Sequence, residues 1–197
     1  MSCQNSPALK VKSLFNGTDF SGWEGDTLTI WRVEDKTIVG GSLNNTVAHN
    51  YFLCTIDTYD DFILKLKIKL TGDEGFINYG IQFRSRRMND PDYEMVGYQA
   101  DFGEAYWVSL YDESRRNKTL IAPDAVKVLE WVNSNDWNDY EIRAEGRRIR
   151  LFINGHQSVD YTEDDLNIPQ YGLIGIQIHG GGKAQVYVKD ITIQELK

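Results

Sequence analysis

Three short stretches of this chain carry hydrogen-bonding and titratable side chains at every second position, and their types are those that move protons and hold oxygen atoms. In residues 80–86, Ile81 and Phe83 take one parity while Gln82, Arg84 and Arg86 take the other. In 97–103, Tyr98, Ala100 and Phe102 oppose Gln99 and Asp101, and in 174–179 three isoleucines oppose Gln177 and His179. Side chains alternate between the faces of a strand. Stretches sharing a sheet would therefore bring Gln82, Arg84, Gln99, Asp101, Gln177 and His179 onto one surface. Histidine exchanges a proton near neutral pH, and a guanidinium can hold a developing oxyanion. His179 also precedes Gly180-Gly181-Gly182, a run whose backbone a ligand can approach closely. His49 and His156 have no comparable company.

The block after Gly103 extends the surface. Val108, Leu110 and Asp112 alternate with Trp107, Ser109, Tyr111 and Glu113. A three-residue loop, Gly103-Glu104-Ala105, would let both apolar sets face one core, placing Trp107 beside Asp101 and Ser109 beside Gln99. An aromatic plate among amides, a guanidinium and carboxylates suits a sugar: pyranose C–H faces pack on rings and hydroxyls take paired hydrogen bonds. Charge clusters such as 111–117 are most often salt-bridged surface turns. This one continues the site strand, so Glu113 and Arg115 are within reach of the site. The Lys65, Lys67 and Lys69 face reads as ordinary solvated surface.

The elements that must position these residues are strands. Phe62, Leu64, Leu66, Ile68 and Leu70 alternate with lysines, and similar blocks run at 79–86, 96–102, 106–112, 137–144, 148–154, 172–179 and 185–194. Asn154-Gly155 signals a type I′ hairpin turn, and only 124–133 invites a turn or two of helix. Many short strands between turn signals predict an all-β antiparallel two-sheet jelly-roll sandwich. The 197 residues, without repeat or linker, predict a single domain over 13–197 behind a flexible tail over 1–12.

A net charge of -8 disfavours nucleic acid or an anionic membrane as partner, since both attract clustered cations. No stretch reaches the roughly 20 apolar residues that cross a bilayer. Two cysteines make neither a disulfide framework nor a four-ligand zinc site. Cys54 reads as a buried apolar thiol. Cys3 opens a polar leader of the kind that tethers a mature bacterial lipoprotein. It is a candidate lipid anchor on an exported, periplasmic or cell-surface protein whose signal is absent from this chain.

These motifs, in order, resemble the 3-keto-disaccharide hydrolase family. Ser13-Leu14-Phe15-Asn16-Gly17-Thr18-Asp19-Phe20-Ser21-Gly22-Trp23 is similar to its opening signature, and Trp31-Arg32-Val33-Glu34-Asp35 with Thr37-Ile38-Val39-Gly40 to its next block. Gly97-Tyr98-Gln99-Ala100-Asp101, the 110–116 segment, 136–140, Asn154-Gly155 and 178–182 complete the series. This chain has Gln99 where many members have Glu.

The resemblance implies a concanavalin A-like lectin/glucanase fold and cleavage of 3-keto-glycosides or 3-keto-disaccharides, by base-initiated elimination across C2 and C1 followed by hydration. That chemistry needs one base, one cation or divalent metal ion to hold the enolate oxygen, and one acid; the residue types assign His179 as base, Arg84 as enolate stabiliser, and Asp101 or Glu113 as acid or metal ligand. Gln82, Gln99, Trp107, Tyr111, Arg115 and Gln177 would bind the oligosaccharide or oxidised sugar. The alternatives are a non-catalytic carbohydrate-binding module on the same face and a two-carboxylate glycoside hydrolase using Asp101 and Glu113.

Overall fold

The computed structural model describes residues 10–196. In chain order the strands are β1 (Val11–Ser13), β2 (Trp23–Glu24), β3 (Trp31–Glu34), β4 (Thr37–Gly41), β5 (Tyr51–Thr55), β6 (Phe62–Gly75), β7 (Asn78–Arg87) and β8 (Met95–Gly103). They continue as β9 (Leu110–Glu113), β10 (Lys118–Ile121), a short helix α1 (Lys127–Trp131), β11 (Asn138–Glu145), β12 (Arg148–Ile153), β13 (His156–Thr162), β14 (Leu173–Ile178) and β15 (Gly182–Glu195). One antiparallel sheet runs β13-β12-β11-β6-β15-β4-β3 with β1 paired to β15, and the other runs β10-β9-β8-β7-β14-β5-β2. The chain is therefore the all-β two-sheet sandwich that its alternation predicts.

Alternation builds the core directly. Phe62, Leu64, Leu66, Ile68 and Leu70 of β6 are buried, as are Tyr79, Ile81 and Phe83 of β7, Tyr98, Ala100 and Phe102 of β8 and the β14 isoleucines. Burying each large side chain contributes about 1.5–3 kcal/mol, so this parity is strongly enforced. Asn154 and Gly155 both take positive φ (48° and 82°) between β12 and β13, as a two-residue I′ turn requires. The helix is shorter than the 124–133 segment, and Asp124 Oδ1 accepts the backbone N–H groups of Val126 and Lys127 at its start. Val11 and Lys12, assigned above to the tail, pair with Gln194 and Ile193. Cys3 lies outside the described residues. Cys54 is buried against Met95, and desolvation pushes its thiol up to about 12.

One departure changes the site. The β7–β8 register shifts between Phe83 and Arg86, so Arg84 and Ser85 together oppose Gly97. Arg84 stands at φ 48°, a left-handed conformation unusual for a residue with a Cβ. This bulge resets the alternation. The Arg84 side chain turns away from the face it was expected to share with Gln82. Its Nε donates to Asp60 O (2.8 Å), Nη1 to Gly146 O (2.7 Å) and Gln170 Oε1 (2.6 Å), and Nη2 to Asp61 Oδ1 (2.7 Å). With every donor group occupied and the side chain fully buried, Arg84 is a structural clamp between loops and cannot stabilise an enolate on the other face.

Arg84→Ala should therefore lower stability by about 3 kcal/mol, through lost charged hydrogen bonds and a cavity. Urea denaturation midpoints check this, and an unchanged midpoint would show that the clamp carries no weight.

Candidate functional site

The outward face of the seven-stranded sheet carries a small polar pocket of about 120 Å³. His179 at the end of β14, Asp101 and Gln99 of β8, and Tyr111 and Glu113 of β9 all line it. Five of the expected site residues are thus brought together. Phe76, Asn78 and Tyr106 complete the wall.

A line of buried hydrogen bonds supports the floor. Ser85 Oγ donates to Gln82 Oε1 (2.6 Å), Gln82 Nε2 to Gln99 Oε1 (2.8 Å), and Gln99 Nε2 to Asp101 Oδ1 (2.7 Å). Two glycines make room for it. A Cβ on Gly97 would meet Ser85 Oγ at 2.1 Å, and one on Gly80 would meet Gln99 Cγ at 2.5 Å. Gln82 is fully occupied within this line, so it supports the floor without lining the pocket.

The pocket raises the affinity of both its carboxyls for protons. Burial pushes Asp101 well above the ordinary carboxylate range, opposed by the Gln99 hydrogen bond and reinforced by the negative charge of Glu113. Burial also pushes Glu113 up to about 7, helped by Glu94 and Asp112. Tyr111 is raised by burial and by the same acids. Gln177 lies beside Glu113 and eases its shift, yet its amide nitrogen and oxygen are buried without a partner in hydrogen-bonding geometry. Nδ1 of His179 lies 2.6 Å from Gly180 O, so Nδ1 donates there and Nε2 is the ring nitrogen left to accept a proton. The rings of Phe76 and His179 meet edge-on at 4.7 Å, and Tyr106 bridges Phe76 and Tyr111 at 6.3 and 6.0 Å.

Two other expected members lie elsewhere. The connection from β8 to β9 spans residues 104–109 rather than three residues, so Tyr111, not Ser109, pairs with Gln99. Val108 takes φ 53°, and the Asp101 backbone bonds both Val108 N and Ser109 O (3.1 and 3.0 Å). This irregular return sends Trp107 onto Phe102 at the edge of the core (ring centroids 5.0 Å), away from the pocket. Tyr106 takes the rim position instead. Arg115 turns to Asp112 (Nε–Oδ1 2.8 Å) and lies over the Tyr98 ring at 4.6 Å, also away from the pocket. Asn78 was overlooked, although it shares the parity of Gly80 and Gln82 and needs only a strand beginning one residue before Tyr79.

The donor set does not fit a divalent metal ion. Among the described residues no three His, Cys, Asp or Glu side chains gather at coordinating range. Glu113 pairs with Gly97, four residues along β8 from Asp101, or roughly 13 Å of strand.

Residues 10–194 match the model of the 3-keto-alpha-glucoside-1,2-lyase-like domain. The chain belongs to this family. No curated protein sequence matches it. Among solved structures, it resembles a provisionally assigned glycosyl hydrolase from Parabacteroides distasonis (TM-score 0.70, 19% identity, 95% of this chain and 94% of that one). A carbohydrate binding module from Bacillus subtilis gives 0.67 at 16% identity, over 88% and 96%. A beta-glucanase from Bacillus licheniformis gives 0.61 at 9%, over 98% and 100%. At these identities the likeness establishes the lectin/glucanase-type jelly roll. The family establishes a carbohydrate-directed protein. Among the described residues no helix is long and apolar enough to cross a membrane.

Two outcomes follow. Trp107→Ala should lower stability by about 2 kcal/mol as a core-edge ring is lost, while sugar affinity stays constant in titration calorimetry. Glu113, with its folded pKa raised to about 7 from an ordinary 4.5, holds a proton that the unfolded chain releases between those values. Stability should therefore decline as pH rises from about 4.5 to 7. Denaturation midpoints of Glu113→Gln should show a shallower decline and exceed the parent's at pH 8. An unchanged slope would mean that Glu113 is not desolvated.

Proposed function

We propose that the pocket cleaves 3-keto-glycosides by elimination. The observation that carries this reading is a histidine whose Nδ1 is engaged by Gly180 O, leaving Nε2 available, in one pocket with Asp101 and Glu113, whose carboxyls burial pushes up. A ketone at C3 acidifies the C2 proton. His179 Nε2 takes that proton, and the C–H electron pair becomes the C2=C3 enolate with its charge on the C3 oxygen. The enolate then reforms the C3 carbonyl, a C1=C2 double bond forms, and the C1–O bond to the leaving group breaks. Glu113, which ionises near neutral pH, gives its proton to the departing oxygen. Water then adds across C1=C2, its oxygen to C1 and a proton to C2, so that the sum is hydrolysis.

The pocket volume of about 120 Å³ suits a single sugar ring, with the leaving group in the open. Polar walls flanked by the rings of Phe76, Tyr106 and Tyr111 suit a ring rich in hydroxyls. The family's name, that of a 3-keto-alpha-glucoside-1,2-lyase-like domain, agrees with this chemistry.

Incubation with a 3-keto-glucoside and its unoxidised parent tests the reading, and only the keto sugar should be consumed. Its C2 hydrogen should exchange with solvent deuterium. His179→Gln keeps a hydrogen-bonding side chain without a basic nitrogen. It should reduce turnover and exchange by roughly two to four orders of magnitude, with little change in binding. Exchange surviving in His179→Gln would move the base elsewhere. Binding of both sugars without turnover would make the protein a carbohydrate-binding module.

A further inference from the structure

With Arg84 turned away, the developing enolate needs other donors, and the pocket holds two groups suited to the task. Asn78 opens β7 on the pocket face and is 2% exposed, and its Nδ2 is buried without any hydrogen-bond partner. Buried amides are nearly always paired, so an unpartnered donor on a residue that lines a pocket points to an oxygen that arrives with a ligand. Its backbone is held firmly: Asn78 pairs with Gly103, and its carbonyl accepts the His179 N–H at 3.2 Å. The second group is Asp101, which stands opposite Gly80 on the neighbouring strand. Asn78 and Asp101 are thus diagonal neighbours on one face, a separation that side chains bridge. One Asp101 oxygen, Oδ1, already accepts from Gln99, so a proton on this carboxyl belongs on Oδ2. Tyr140 OH anchors the Asp101 carbonyl at 3.0 Å from the opposite sheet, so the residue cannot swing out to water.

We propose that Asn78 Nδ2 and the Oδ2 hydroxyl side of the Asp101 carboxyl group together form an oxyanion hole for the C3 oxygen of the 3-keto sugar. This rests on the elimination reading above and assigns Asp101 as a hydrogen-bond donor rather than as a base, a metal ligand or the leaving-group acid. Burial, which pushes the Asp101 carboxyl well above the ordinary carboxylate range and so favours its protonated form, supports that assignment. A carboxylic acid donates a stronger hydrogen bond than an amide, and both donors gain strength as charge develops on the oxygen. The two groups also select for a ketone. The unoxidised sugar presents a C3 hydroxyl, which never becomes an oxyanion.

The test follows deuterium exchange at C2 and turnover of a 3-keto-glucoside by the full chain. Asn78→Ala should lower both by roughly 10²–10³-fold with little change in KM. Its melting temperature should stay constant or rise, because the lost N–H had no partner. Asp101→Asn keeps an acceptor for Gln99 and an N–H toward the pocket, so it should retain activity within about tenfold, whereas Asp101→Ala should lose roughly 10²–10³-fold. Should Asn78→Ala fold poorly, Asn78→Asp keeps the shape, replaces the N–H with oxygen, and should show the same loss. Asn78 variants within threefold of the parent would overturn the donor role while leaving the elimination reading intact. Asp101→Asn as inactive as Asp101→Ala would show that Asp101 works ionised. A parent protein that neither exchanges nor consumes the keto sugar would remove the elimination reading, and the oxyanion hole with it.

Discussion

A line of three hydrogen bonds crosses the seven-stranded sheet from Ser85 through Gln82 and Gln99 to Asp101, and the site depends on its direction. Each amide uses its oxygen toward Ser85 and its nitrogen toward Asp101, so the line delivers an N–H to one carboxyl oxygen. The line exists only because Ser85 reaches the outward face. Ser85 is there because the bulge at Arg84 shifts alternation by one position. The bulge is sustained by a buried guanidinium with four acceptors, which offsets the strain of a left-handed arginine. A residue that first looked catalytic thus governs the site from the other side of the sheet. Gly97 and Gly80 supply the clearance that the line requires.

Environment, not residue type, sorts the acids. Asp112 and Glu113 are adjacent in β9, and the pleat sends them opposite ways. Asp112 meets the guanidinium groups of Arg115 and Arg116, while Glu113 enters the pocket and is pushed up to about 7 by burial and its acidic neighbours. Glu163 is the counterexample. Burial pulls its pKa upward, but hydrogen bonds from Arg116, Tyr98 and the Asp165 N–H overcome that and hold it at about 2. Arg116 bridges Asp112 and Glu163, so the loop after β9 is tied to the segment after β13. That pairing holds β9 in place and so fixes where Glu113 points.

Period-two alternation made the fold and most of the pocket legible. Wherever a strand is regular, as in β6, β8 and β14, apolar parity identifies the outward residues, and Gln99, Asp101, Gln177 and His179 follow. Two of the misplacements, Arg84 and Trp107, stem from non-glycine residues at positive φ. Arg84 and Val108 carry no local signal for that conformation, because neither residue type favours it. The arginine adopts it for a set of acceptors contributed by residues 60, 61, 146 and 170, contacts that no local window contains. Val108 adopts it because the Asp101 backbone bonds two successive residues of the return strand. Each shift moved one candidate, Arg84 or Trp107, off the pocket. Arg115 was lost differently, since a charge cluster's choice between partners depends on which acid is buried.

Among the amides on the outward face of the seven-stranded sheet, satisfied and unsatisfied polar groups separate support from site. Gln82, Gln99, Ser85 and Arg84 have their hydrogen-bonding capacity met inside the protein, and they hold positions. Asn78 Nδ2 and both ends of the Gln177 amide have no partner, although an unmade buried hydrogen bond costs about 1–3 kcal/mol. A fold that pairs its other amides on this face so thoroughly retains these unpaired groups beside one another across β7 and β14. Folding alone would favour apolar residues there, as it does at Ile81 and Ile178 on the core side. The penalty is relieved when a ligand oxygen enters, and the energy then contributes to binding or to stabilising developing charge. Asn78 Nδ2, unpaired on a residue that lines the same pocket as His179, places that energy next to the reacting atoms.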